Sequence, residues 1–155
     1  MKKVLILLVV NIFLVLVQGS FLRELIGAVL MPNLVIAFAF AFFFADREYL
    51  ALTSAFIGGL LLDLFGFSII GFSSLIIIAS LIFFKFVKQY LFRGWVANLI
   101  LVFLTQILYA NILSGFSQTG HQLLYTGLTT LIFSILFLLI NEKVLSYFKK
   151  SGYLS

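Results

Sequence analysis

The chain has 155 residues, of which 64% are hydrophobic and only 10% charged, with one proline and no cysteine. A water-soluble domain needs roughly 25% charged residues to cover its surface, so lipid must solvate most of this chain. The net charge of +5 is scattered between apolar runs and forms no basic face, which excludes nucleic-acid binding. The lack of cysteine removes disulfides, thiol catalysis and thiolate metal sites, and the lone His121 cannot build a multi-histidine site.

Lys2 and Lys3 precede an apolar run from Val4 to Val17 that mimics a secretory leader. The residues that follow, Val15-Leu16-Val17-Gln18, match a cleavage site poorly, so the run reads as a retained first membrane helix over 4–22. Residues 21–31 then place Phe21, Leu22, Leu25, Ile26, Val29 and Leu30 at helical spacing, with Arg23, Glu24, Gly27 and Ala28 opposite. Two readings stand for this stretch: an amphipathic helix along the outer interface, or a plain extension of the first span. Pro32-Asn33 ends it and restarts the chain.

The remaining apolar runs are 33–45, 49–64, 68–86, 95–113 and 122–141. A spanning helix needs about 20 residues. The second run, rising about 20 Å, must start earlier, thin the bilayer or sit shielded inside the bundle. Six alternating spans place every Lys and Arg except Arg23 on one side: Lys2, Lys3, Arg47, Lys85, Lys88, Arg93, Lys143, Lys149 and Lys150. Arg23 has Glu24 beside it, and the outer connections 65–67 and 114–121 carry no charge apart from His121. The positive-inside rule therefore predicts an all-α membrane protein with six transmembrane helices and both termini cytoplasmic, forming a single domain over 1–155.

Small residues form stripes at four-residue spacing, Ala37, Ala41 and Ala45 in the second span and Ala51, Ala55, Gly59 and Asp63 in the third. Such stripes let helix backbones approach closely in lipid. Joined by the short turn Asp46-Arg47-Glu48, the two spans should form a tight antiparallel hairpin. A partner's helix docked on the stripe is the alternative use. Polar residues are few: Asn11 and Gln18 share one face of the first span, and Thr126, Thr130 and Ser134 share one of the sixth. Ser73, Ser74, Ser80, Asn98, Thr105 and Tyr109 complete the set. Interhelical hydrogen bonding, worth about 0.6 kcal/mol per pair, explains them more simply than a solute cavity.

Between Tyr49 and Lys85 the only ionisable residue is Asp63, set among Gly58, Gly59, Gly66 and Gly71. A carboxylate in so apolar a stretch is costly and needs a reason. It could relay a proton or bind a cation, contact a partner protein, or cap the next segment through the N–H groups of Phe65 to Phe67. No second buried charge pairs with it, which disfavours transport. Gly66 and Gly71 offer positive φ for a sharp reversal at that point.

Gly58-Gly59-Leu60-Leu61-Leu62-Asp63-Leu64-Phe65-Gly66, with Gly71 five residues on, resembles the central signature of the rod-shape-determining MreD family. Pro32-Asn33-Leu34 at the head of the second span resembles that family's Pro-Asp/Asn-Leu motif. The two motifs cover about a dozen positions, while length and hydropathy fit over the whole chain. The resemblance implies a non-enzymatic scaffold of bacterial cell elongation in the inner membrane. It implies MreC as a direct partner, with the actin-like MreB and the elongation glycosyltransferase–transpeptidase pair nearby, and no cofactor. It makes Pro32, Ala37, Ala41, Ala45, Ala55, Gly58, Gly59, Asp63, Gly66 and Gly71 the structural or interface candidates.

MreD proteins are similar in fold to the substrate-binding subunits of energy-coupling-factor vitamin transporters, which supplies the competing function. Those subunits carry an Ala-x-x-x-Ala docking motif in the first helix, whereas this first span has no alanine. The 114–122 loop offers only the neutral groups of Ser114, Gln118, Thr119, His121 and Gln122. Catalysis is disfavoured, because one buried acid and one loop histidine supply neither a nucleophile with its base nor a pair of acids.

Overall fold

The computed structural model describes residues 2–26, 32–66, 69–90, 95–113 and 120–150, all of it helix apart from short connections. Residues 27–31, Phe67, Arg93, Ser114, Gln118 and Thr119 lie outside the described residues. So do the side chains of Lys2, Lys3, Lys88, Asn98, Lys143, Lys149 and Lys150.

The chain forms six helical rods. The first runs without a break through α1 (Lys2–Leu16), a π-helical segment (Val17–Leu22) and α2 (Arg23–Ile26). Residues 21–26 thus extend the first helix. The residues flanking the π segment, Leu16 and Arg23, keep right-handed helical angles. The other rods are α3 (Leu34–Phe44), α4 (Glu48–Gly66), α5 (Phe72–Tyr90), α6 (Trp95–Leu113) and α7 (Gly120–Lys150). Three stretches, Val4–Leu22, Glu48–Gly66 and Gly120–Ile140, are long and apolar enough to cross a membrane. Leu34–Phe44, Phe72–Val87 and Leu99–Ile112 are apolar but shorter.

Burial is inverted relative to a soluble protein. Ile6, Phe13, Phe21, Phe65, Ile69 and Ile132 are exposed, while Asn11, Asn33, Ser54, Asp63, Thr105 and Thr130 are buried. Lipid, not water, solvates such a surface. The polar interior is hydrogen-bonded as burial requires. Asn11 donates to the Leu7 carbonyl at 2.8 Å and meets the Ser54 hydroxyl at 3.1 Å from its Nδ2, tying α1 to α4.

The shortest rod is the hub. α3 packs against α1, α4, α5, α6 and α7. At 11 residues it rises only about 16 Å. Its apolar residues face inward all round, with Val35, Ile36, Ala37, Ala39 and Phe40 fully buried. Phe40 packs on Phe43, Phe44 and Phe84, and Phe38 on Phe42 and Phe137. Of the three ways to accommodate a short second span, the structure uses shielding by neighbouring helices.

The α3–α4 turn closes tightly. Asp46 N–H donates to Phe43 O at 3.2 Å and Arg47 N–H to Phe42 O at 3.0 Å, the paired bonds of a Schellman ending. Asp46 takes the left-handed position at φ +55°, where glycine is the usual choice. At the same end of the bundle, Lys85 and Glu48 form an exposed ion pair at 2.6 Å between α5 and α4.

Candidate functional site

The two glycine- and asparagine-marked segments meet at the opposite end of the bundle. α4 runs on to Gly66, so Phe65 and Gly66 are part of that helix and need no cap from Asp63. The carboxylate instead reaches the first turn of α5. The Ser73 N–H lies 3.2 Å from Oδ1 and 3.1 Å from Oδ2. Phe67 lies outside the described residues, and capping, one of the three roles open to Asp63, is present with Ser73 as a donor. The reason is geometric. α5 starts at Phe72 behind Gly71, whose lack of a side chain leaves the helix without a cap of its own. A carboxylate from the preceding helix supplies it, and the N-terminal dipole stabilises the negative charge. Asp63 is 1% exposed and is the one charged side chain among the buried described residues.

The glycines divide by role. Gly71 has φ +91°, so the reversal uses the left-handed freedom expected of it. Gly66 does not; it stays helical, and a Cβ there would meet open space. Gly59 faces the Ser74 backbone so closely that a Cβ would collide with Ser74 Cα and N. Gly58 sits equally close to Val35 and Asn11. Ser74 Oγ completes the seam by donating to the Phe56 carbonyl at 2.8 Å. Ala37, Ala41, Ala51 and Ala55 are buried within the bundle, and Ala45 is partly buried as the C-cap of α3.

Pro32-Asn33-Leu34 forms the second half of the site. Asn33 is the N-cap of α3, its Oδ1 accepting from Ile36 N–H at 3.1 Å. Leu34 N–H donates to Gln18 Oε1 at 2.9 Å, and Asn33 N–H to Thr130 Oγ1 at 3.0 Å. The orphan donors of this buried helix start are therefore satisfied by the π segment of the first rod and by α7, and Pro32 beside them is fully buried. Non-helical backbone inside a membrane bundle survives only with such partners.

Tyr109 of α6 joins the two halves. Its hydroxyl is 3.0 Å from Ser73 Oγ and close enough to Asp63 and the Asn33 amide to interact electrostatically with both. Two buried polar atoms have no hydrogen-bond partner among the described residues, Asn33 Nδ2 and Gln106 Oε1. Gln106 lies one turn before Tyr109. The spacing of polar residues pointed to Gln18, Tyr109 and Thr130; Gln106 and Ser54 escaped notice as single amide and hydroxyl groups in apolar runs. Among the described residues no group of three or more His, Cys, Asp and Glu gathers. His121 is exposed at the start of α7.

This arrangement is a cross-braced corner. It fixes the starts of α3 and α5 using polar groups from the first rod, α4, α6 and α7. No protein family, curated protein or solved structure matches the chain.

Proposed function

We propose that the chain is a non-enzymatic membrane scaffold of the MreD type, binding MreC and supporting lateral peptidoglycan synthesis. The observation that carries this reading is the convergence of both resembling motifs on one corner. Pro32-Asn33-Leu34 and the Gly58–Gly71 segment lie far apart in sequence, yet Tyr109 links them through Ser73, Asp63 and Asn33. A corner that holds the starts of two helices in place fits a scaffold, whose work is its shape. In this reading the chain crosses the bacterial inner membrane six times with both termini in the cytoplasm. Lys85, Glu48 and Arg47 then lie at the cytoplasmic end, and the Asp63 corner at the outer one.

A substrate-binding subunit of a vitamin or small-solute transporter is the competing function. Gln106 Oε1, which has no hydrogen-bond partner among the described residues, favours it, since a buried acceptor without a partner is what a polar solute engages. The two readings separate in the cell. Depletion from a rod-shaped host should produce round, enlarged cells; unchanged rods with a vitamin requirement would overturn the scaffold reading.

A further inference from the structure

The π-helical segment opens a cleft that the corner does not use. Val15, Gln18, Gly19 and Arg23 from the first rod face Leu62, Phe65 and Gly66 of α4 across a cavity of about 210 Å³. The π turn widens the helix at this point, a distortion found frequently at functional sites. A Cβ on Gly19 or Gly66 would meet nothing within 4 Å, so glycine on each wall keeps the cleft open. Gln18 turns inward to the Leu34 N–H, leaving Val15, Leu62 and Phe65 as apolar walls.

Three observations define the occupant. The volume falls below the roughly 300–1,000 Å³ of a site that encloses a small molecule, so it suits part of a longer molecule. Phe65 on its wall, and Leu64 next to it in sequence, are exposed on the apolar surface, so the cleft opens toward lipid. At its mouth stands Arg23, exposed, its guanidinium without an ion-pair or hydrogen-bond partner among the described residues. Glu24 adjoins Arg23 in sequence but does not line the cleft. An apolar slot with one guanidinium at its rim is complementary to an acyl chain bearing a phosphate.

We infer that the cleft holds one acyl chain of a bilayer phospholipid, whose phosphate is bound by Arg23. The site stands independently of MreC binding. Native mass spectrometry of the full chain, released from nanodiscs of phosphatidylglycerol and phosphatidylcholine, reads it directly. The unaltered chain should retain one phospholipid. Gly19→Leu and Gly66→Leu, which fill the cleft from opposite walls, should each reduce retention at least tenfold. Arg23→Gln should reduce it about fivefold and Arg23→Lys much less. Gly120→Leu, adding the same bulk in open space on α7, should leave it unchanged. Equal retention in folded Gly19→Leu and Gly66→Leu proteins would overturn the site, as would no retained lipid on the unaltered chain. Competition on the unaltered chain needs no variant to fold. Short-chain phosphatidylglycerol should displace the bound lipid and inorganic phosphate should not. Displacement by inorganic phosphate alone, or preferential displacement by a polyprenyl phosphate, would overturn the phospholipid assignment.

Discussion

Asp63 is held by an N–H ten residues further along the chain, and removing the carboxylate strands that buried donor. Asp63→Ala should therefore cost about 1–3 kcal/mol of stability, and Asp63→Asn, which keeps a neutral acceptor, about 1 kcal/mol. Thermal unfolding in detergent would check the order. The glycines give a sharper contrast. Gly59→Ala drives a Cβ into the Ser74 backbone and should cost about 1–3 kcal/mol despite the better helix propensity of alanine. Gly66→Ala meets open space and should be neutral or stabilising by up to about 1 kcal/mol. The same assay would record opposite signs. The sequence marked Asp63 as a cap because a lone charge among apolar residues needs a partner. It could not name Ser73, because that donor is presented only once Gly71 has reversed the chain. Nor could it tell Gly66 from Gly71, since both permit positive φ and only the length of α4 decides which one uses it.

Among the elements, α3 depends most on its neighbours. Its shortness left three options open in the sequence, an earlier start, a thinned bilayer or shielding, and only the packing shows the shielding. Its anchoring was less legible. Gln18 and Thr130 look like isolated polar residues until the fold brings them to the N–H groups of Leu34 and Asn33. Gln18→Leu should leave the Leu34 donor unpaired and lower stability by about 1–3 kcal/mol. Hydrogen exchange should then show faster protection loss at Leu34 than at Ser54 in mid-α4. Equal protection at both would contradict the anchoring. The π segment was not legible: Gln18, Gly19 and Ser20 make Val17–Leu22 more polar than the helix before it, but polarity alone does not signal a widened turn. The cleft with Arg23 at its mouth follows from that irregularity and was equally hidden.

On the scale of the molecule, composition pointed to a chain solvated by lipid and the apolar runs to helices, and the inverted burial fits both. Topology and function rest on more than packing. The charge pattern argues for six spans with cytoplasmic termini, and two short motifs argue for the MreD family; the corner gives those motifs a shared structural role. Copurification of the tagged chain from native membranes in mild detergent tests this most directly. The scaffold account predicts that MreC is recovered with the intact chain. Recovery of an ATPase-linked transport module, with no MreC, would contradict it.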